Sequence, residues 1–267
     1  MSFVAGALGS LLGLGGGMIV IPALTLLLHI DIRLAIGASI ISVIATSSGA
    51  AAAYVRDRLA NLRVAMFLEL GTTAGAITGA WIAGLLEPRW LFTLFGLVLG
   101  GSGLAMLRPR VRIAEQPHGG TRLARLLRLQ SSYFDDARGY EVAYQPARPL
   151  LGLALMYIAG TVSGLLGIGS GALKVPAMDL AMELPIKVST ATSNFMIGVT
   201  AAASAGLYFS RGQIDPFIAA PVAVGVLSGA FIGSRFLSQV SSRALRVTFV
   251  VVLLVISAHM LVEGARG

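Results

Sequence analysis

The 267-residue sequence contains no cysteine and few charged residues. The absence of cysteine excludes disulfide bonds and thiolate metal sites, and it leaves the redox compartment open. Charged residues make up 12% of the chain, whereas soluble globular proteins carry about 25%. Hydrophobic residues make up 56%, and the mean hydropathy is +0.83. They lie in runs of about 20 residues or more, the length that crosses a bilayer, so we expect a membrane protein.

Signatures of other protein classes are scarce as well. The three histidines, His29, His118 and His259, lie on different segments, and the chain has no G-x-S-x-G elbow and no paired carboxylates, which argues against an intramembrane enzyme. The start of the chain lacks the charged region and cleavage site of a signal peptide. The net charge of +8 comes from arginines in loops, which indicates membrane orientation and not nucleic-acid binding.

Eight hydrophobic segments flank one polar stretch, 108–148. The runs are continuously apolar and lack the alternation of a barrel strand, so they predict an all-α polytopic membrane protein. The segments span residues 2–29, 34–54, 63–86, 89–107, 149–183, 187–209, 215–237 and 242–262.

One stretch of the sequence occurs twice. GLGGGMIVIP at 13–22 aligns without a gap on GIGSGALKVP at 167–176, at an offset of 154. The same offset places Ser39 on Ser193, Tyr54 on Tyr208 and the glycines of 71–79 on those of 225–233. The four-residue spacing of these glycines predicts close packing of helices. The sequence thus predicts two related membrane repeats, 1–107 and 149–267, joined by a linker at 108–148, the internal repeat that many secondary transporters use.

The first segment of each half is interrupted by glycine. Ser2–Leu14 and Met18–His29 would each be roughly 18–20 Å long as helices, too short for a core of about 30 Å. Gly-Gly-Gly stands between them, and Gly-Ser-Gly interrupts the second half. Broken backbone is tolerated in a membrane only inside protein or beside water. Each segment is therefore either a discontinuous helix or a re-entrant hairpin, and three full helices follow it.

Loop charge favours the re-entrant alternative. The linker carries eight arginines and is expected in the cytoplasm. If 149–183 returns to the same side, Lys187, Arg235, Arg243 and Arg246 also lie inside, and the two halves have opposite orientation. Within the linker, the stretch 121–134 predicts a basic amphipathic helix on the anionic leaflet.

The doubled motif L-L-G-[LI]-G-[GS]-G-x(4)-P, followed by a small-residue and serine cluster, resembles the TauE/SafE family of membrane permeases over the whole chain. The resemblance implies transport of sulfite, sulfoacetate or related small anions across the cytoplasmic membrane. The second copy departs from the triple glycine at Ser170, and its Lys174 stands where the first copy has Val20. These departures bear on which anion is bound.

Broken helices present free amide N–H groups and positive dipole ends, which suit an anion. Buried hydroxyls add neutral donors, and a lysine in a membrane interior is by default a functional hypothesis. The alternatives are hydroxyl bonds to neighbouring carbonyls, and snorkelling of Lys174 or its pairing with Asp179 or Glu183. The predicted substrate-binding residues are Gly15, Gly16, Gly17, Ser39, Ser42, Gly169, Ser170, Gly171, Lys174, Thr192, Ser193 and Asn194, with Thr46 as a further donor.

Two acids within apolar runs, Glu69 and Asp179, are candidates for binding a coupling proton, since burial raises the pKa of a carboxyl group. Glu69 could instead pair with Arg63. The expected partners are a small anion, the lipid bilayer, a coupling proton or sodium ion, and a second copy in a homodimer. No cofactor, metal or nucleic acid is expected. Alternating access between the halves is the favoured mechanism, and an anion channel with the same glycine-rich site is the alternative.

Overall fold

The computed structural model describes residues 1–12, 15–107, 122–135, 139–167, 171–236 and 240–266. It is mostly helical, as predicted. The first half contains α1 (Ser2–Leu12), α2 (Gly17–Pro22), a π-helical turn (Ala23–Leu27), α3 (Ile32–Arg56), α4 (Leu62–Ala83) and α5 (Pro88–Leu107). The linker contains α6 (Arg122–Leu126), β1 (Ser131–Asp135) and β2 (Tyr140–Tyr144). The second half contains α7 (Pro149–Leu166), α8 (Gly171–Pro176), a π-helical turn (Ala177–Ala181), α9 (Ile186–Ser210), α10 (Pro216–Ser234) and α11 (Ser242–Arg266).

The two halves have matching helix starts. From α2 to α5, each helix begins 154 positions before the corresponding helix among α8 to α11. Each short helix ends at a proline, Pro22 or Pro176, and the chain continues as a π-helical turn. Proline has no backbone N–H to donate, so the regular hydrogen-bond ladder changes at the same place in both halves.

The two halves pack against each other through helix pairs, and each pair has one helix from each half. α3 and α9 contact each other at the centre, α1 packs against α10, α7 packs against α4, and α5 packs against α11. A Cβ on Gly75 would overlap the carbonyl oxygen of Tyr157, and one on Gly229 would overlap that of Phe3. Backbone therefore lies directly on backbone at both contacts, which confirms the close-packing interpretation of these glycines.

The outward surface is apolar. Leu70 on α4 is 71% exposed, and Val224 on α10 is 69% exposed. Among the described residues, three helices are long and apolar enough to cross a membrane: Ile32–Arg56, Pro149–Leu166 and Pro216–Ser234. Apolar faces of this extent are covered by lipid or by another protein, which agrees with the composition.

The linker corrects two predictions. The helix expected over 121–134 spans only Arg122–Leu126, and an antiparallel hairpin follows it, so the chain is not all-α. Tyr133 and Asp135 are buried while Phe134 between them is 55% exposed. This period of two is that of a strand with one covered face. The helical prediction rested on the arginine spacing and overlooked this alternation.

Candidate functional site

The first glycine break is a tight reversal between α1 and α2. Gly15 and Gly16 have φ values of 73° and 72°, in the left-handed region that favours glycine. The N–H of Gly15 donates to the Gly9 carbonyl (3.3 Å), and the N–H of Gly17 donates to the Gly15 carbonyl (2.8 Å). Two of the three amides predicted to bind an anion are therefore hydrogen-bonded within the segment in this conformation.

The second break begins at Gly167, whose φ is 64° and whose N–H donates to the Ser163 carbonyl (2.7 Å). α8 starts at Gly171, which is buried. The predicted site residues Gly169 and Ser170 lie outside the described residues. The two ends of the second broken segment, 149–183, lie side by side, because the N–H of Ala147 donates to the Met182 carbonyl (2.9 Å).

Ser39 brings the two breaks together. Its hydroxyl donates to the Gly167 carbonyl (2.8 Å), and a Cβ on Gly17 would overlap its Oγ. Ser42 donates to the Ser39 carbonyl (2.7 Å) and Thr46 to the Ser42 carbonyl (2.8 Å), both within α3. In this conformation Ser39 links the halves, whereas Ser42 and Thr46 bond to their own helix.

The three predicted residues on α9, Thr192, Ser193 and Asn194, are fully buried. Thr192 and Asn194 form hydrogen bonds to different parts of the first half. The Thr192 hydroxyl oxygen accepts from the backbone N–H of Asn61 (3.0 Å), at the start of α4. The Asn194 amide donates to the Ser10 carbonyl (2.5 Å), next to the first break. Ser193 lies between them in sequence. The structure thus places Asn194 beside the glycine break and Thr192 at a different helix end.

Lys174 is 0% exposed and belongs to a polar group that we call the Lys174 cluster: buried Lys174 and Thr200 with half-buried Glu69 and Thr73. The Lys174 ammonium donates to Thr200 Oγ1 (2.6 Å) and lies 3.7 Å from Glu69 Oε2. The hydroxyls of Thr200 (2.6 Å) and Thr73 (3.1 Å) donate to Glu69 Oε1. A cation and an anion therefore face each other one turn beyond the second glycine break.

The Lys174 cluster settles several alternatives. Among the described residues, the ion-pair partner of Lys174 is Glu69, not Asp179 or Glu183. The ammonium does not snorkel, since it is fully buried. Arg63 donates to the Arg128 carbonyl in the linker (3.0 Å) and does not pair with Glu69.

The sequence repeat contains no counterpart of the Lys174–Glu69 pair. The positions 154 residues away, Val20 and Ala223, are both apolar. The pair therefore joins Glu69 of the first half to Lys174 of the second, and the repeat does not duplicate it. Asp179, the other coupling candidate, is 1% exposed in the π-helical turn after α8.

The linker carries a second buried ion pair that sequence analysis missed. Lys187 at the start of α9 contacts Asp135 of β1 (2.7 Å), and their side chains are 0% and 1% exposed. The Asn61 amide donates to the Leu129 carbonyl (2.9 Å) and to the Tyr144 hydroxyl (3.1 Å). Burial raises the pKa of Tyr144 and keeps its hydroxyl neutral. From the sequence alone, Lys187 was expected only to be a loop charge.

An apolar cavity of about 1030 Å³ lies between α1, α2, the first π-helical turn, α10 and α11. Its walls include Leu24, Leu28, Ile218 and Val222, and His259 reaches its edge. None of the predicted site residues and no member of the Lys174 cluster lines it. This cavity therefore lies apart from the polar groups that suit an anion.

Comparisons with known proteins agree with the resemblance. The family model described as "Sulfite exporter TauE/SafE" matches residues 1–260. The Bacillus subtilis "Probable membrane transporter protein YunE" is 28% identical over 273 residues, covering 99% of this chain and 96% of that protein. A "Probable membrane transporter protein" of Xylella fastidiosa is 28% identical over 241 residues, covering 89% and 84%.

A more distant relative comes from an archaeon. The Methanocaldococcus jannaschii "Probable membrane transporter protein MJ0441" is 23% identical over 276 residues, covering 98% of this chain and 93% of that protein. No solved structure is similar enough to match the chain.

Proposed function

We propose, since the chain belongs to the TauE/SafE sulfite exporter family of membrane transporters, that it is a secondary transporter of small anions. The proposed substrates are sulfite, sulfoacetate or a related organosulfonate or carboxylate, carried across the cytoplasmic membrane. The observation that carries the proposal is Lys174, a fully buried cation three residues beyond the Gly171 start of α8. A buried cation in a membrane interior is retained for a function, and a transported anion supplies its natural ligand.

The proposed architecture is an inverted two-fold repeat of multi-pass helices. Support comes from the hydrogen bond between Ala147 and Met182, which puts both ends of 149–183 on one side of the molecule. This broken segment would then enter and leave the membrane on the linker side, although α7 alone is about 27 Å long. Each of α3, α4 and α5 would cross the membrane in the opposite direction to its counterpart among α9, α10 and α11.

The proposed mechanism is alternating access at the glycine breaks. Two contacts join the halves there, Ser39 to the Gly167 carbonyl and Asn194 to the Ser10 carbonyl. Rocking of one half against the other would break these bonds and free their donors. The anion would then be bound by Lys174, by released hydroxyl and amide donors, and by the backbone N–H groups of the turns.

In the proposal, the predicted site residues keep the roles that the sequence indicated. The donors are Gly15, Gly16, Gly17, Ser39, Ser42, Gly169, Ser170, Gly171, Thr192, Ser193 and Asn194, and the coupling candidates are Glu69 and Asp179. Thr192 is the weakest member of this set, because its hydroxyl lies at the start of α4 and not at a glycine break.

A thermal-shift screen tests the proposal. Purified protein is heated with sulfite, sulfoacetate, taurine, sulfate and simple carboxylates, because a ligand present at 100 times its Kd stabilises the fold by about 2.7 kcal/mol. We expect a selective shift with one class of anion, and its loss in Lys174→Gln. The matched control is Arg56→Gln, which removes an exposed cation paired with Asp57.

Two results would contradict the proposal. If no anion raises the unfolding temperature of wild-type protein, the proposed anion site is wrong. If the anion raises the unfolding temperature of Lys174→Gln as much as that of wild type, Lys174 does not bind the anion. Unitary currents in planar bilayers would indicate the channel alternative.

A further inference from the structure

We infer that Glu69 is a proton-binding gate on the anion site, whose carboxylate competes with the transported anion for the Lys174 ammonium. The inference rests on the proposed anion transport and specifies its coupling. In the structure, Lys174 has two polar partners among the described residues, Thr200 at 2.6 Å and Glu69 at 3.7 Å. The ammonium is thus already neutralised by a carboxylate of the protein.

An anion that approaches Lys174 meets the charge of Glu69. Lys174 and Glu69 together carry no net charge, so adding an anion leaves at least one uncompensated negative charge in a buried place. Uncompensated buried charge is strongly unfavourable, because the surroundings screen it poorly. Binding therefore requires that the carboxylate either withdraw from Lys174 or lose its charge.

Withdrawal is opposed by the packing of α4. A Cβ on Gly71 would lie 2.8 Å from the Leu153 carbonyl oxygen, and one on Gly75 would overlap that of Tyr157. α4 therefore lies directly on the backbone of α7 at the turns that follow Glu69, and this contact fixes the position of the helix. Two hydroxyls, from Thr73 and Thr200, also hold Glu69 Oε1 in place. Neutralisation by a proton is the remaining route.

The two carboxylate oxygens of Glu69 have different surroundings. Oε1 accepts both hydroxyl hydrogen bonds, whereas Oε2 faces the ammonium and has no hydrogen-bond partner among the described residues. The Glu69 side chain is 14% exposed, whereas that of Lys174 is 0% exposed. A proton would bind at Oε2, the O–H would form there, and Oε1 would keep its two donors. One proton enters the site for each anion bound.

Few other titratable groups face Glu69. On α4 itself, Arg63 donates to the Arg128 carbonyl. α7 contributes Tyr157, and α9 contributes Lys187, which pairs with Asp135 in the linker.

The remaining groups belong to other parts of the second half. On α9, the Tyr208 hydroxyl donates to the Gly164 carbonyl. Asp179 lies in the π-helical turn and Glu183 just after it. Lys174 is thus the charged group in ion-pair contact with Glu69 among the described residues, so an anion bound to Lys174 and a proton on Glu69 depend directly on each other.

Calorimetric titration of the purified full-length protein with sulfoacetate tests the inference. Sulfoacetate keeps its charge between about pH 6 and pH 8 because both of its acid groups are then ionised. Titrations at one pH in buffers of different ionisation enthalpy give the number of protons taken up per anion. We expect wild-type protein to take up about one proton, and its affinity to fall as the pH rises, by up to about tenfold per pH unit.

Three variants sharpen the measurement. Glu69→Gln keeps the shape and removes the proton site, so sulfoacetate should bind without proton uptake and with an affinity independent of pH. Thr73→Val removes one donor to the carboxylate, which favours its protonated form, so the pH dependence should move to higher pH. Glu87→Gln removes an exposed carboxylate paired with Arg89 and should behave as wild type.

The outcomes separate the two proposals. Sulfoacetate binding without proton uptake in wild type, or with equal uptake in Glu69→Gln, would overturn the gate and leave anion transport standing. Unchanged pH dependence in Thr73→Val would also overturn it. Absence of binding to wild type and to Glu69→Gln alike would overturn both.

Discussion

The two broken segments differ most where their ends meet. In the second half, the end is covered by the linker, whose Ala124 and Leu129 pack into an apolar cluster. At the corresponding place in the first half lies the cavity of about 1030 Å³. The correspondence is direct: the cluster contains Val64, Leu68, Met178, Met182 and Leu184, and the positions 154 residues away, Ile218, Val222, Leu24, Leu28 and Ile30, line the cavity.

This difference shows that equivalent sequence positions become core or cavity wall according to what lies over them. Leu68 is 0% exposed under the linker, and Val222 is 7% exposed at the cavity. The linker also brings Asp135 to Lys187, whose counterpart Arg33 is exposed. Under the proposed inverted topology, the docked hairpin covers the ends of the second broken segment on the cytoplasmic side. The ends of the first broken segment lie on the opposite side of the membrane, beside the open cavity.

Breaking the Lys187 ion pair should have the largest effect. Lys187→Ala leaves the Asp135 carboxylate buried without its ammonium partner, and the loss of one member of a buried pair costs about 3–5 kcal/mol. We expect a lower unfolding temperature in a thermal melt and faster proteolytic cleavage of the linker, because the hairpin undocks from α9.

Arg33→Ala is the matched control, since Arg33 occupies the corresponding position of the first half and its exposed side chain donates to the Leu86 carbonyl (3.3 Å). The double variant Lys187→Met with Asp135→Leu should recover most of the stability, because it removes both charges together. Equal melting of Lys187→Ala and Arg33→Ala would show that the linker does not stabilise its end of the molecule.

The helix contacts, unlike the segment ends, should respond alike in both halves. Gly75→Leu and Gly229→Leu each force a side chain onto a neighbouring carbonyl oxygen, of Tyr157 and of Phe3. Overpacking of this kind costs about 1–3 kcal/mol, and thermal melts should show similar losses. Gly101→Leu is the control, because a Cβ there meets no atom within 4 Å in the described structure. A loss at only one of the two glycines would show that the packing of the halves differs too.

Much of the fold could be predicted because its signals are local. Continuous apolar runs predicted a mostly helical membrane chain, and the four-residue glycine spacing predicted close helix contacts. The hairpin of the linker was missed for a physical reason. Its strands are short, and their alternating pattern reports burial against Asn61 and Lys187, which are distant in sequence.

The site was predictable only where the repeat itself carried information. The alignment of Gly17 with Gly171 and of Ser39 with Ser193 pointed to the breaks, and the structure places Ser39 between the two of them. The partner of Lys174 was not predictable, since Glu69 reaches it from a helix of the other half through tertiary packing. No local pattern encodes that approach.

Filling the open cavity should change the free energy of unfolding the least of the three tests. The sign of the change is what distinguishes the two ends. Val222→Phe places additional apolar surface in a space of about 1030 Å³, and burying it should stabilise the fold by about 1 kcal/mol. Leu68→Phe makes the corresponding change under the linker, where the residue is 0% exposed and overpacking costs about 1–3 kcal/mol. Thermal melts of the two variants should therefore shift in opposite directions. A shift in the same direction would mean that the linker leaves as much room over Leu68 as the cavity leaves over Val222, and the asymmetry of the two ends would then lie in the ion pair alone.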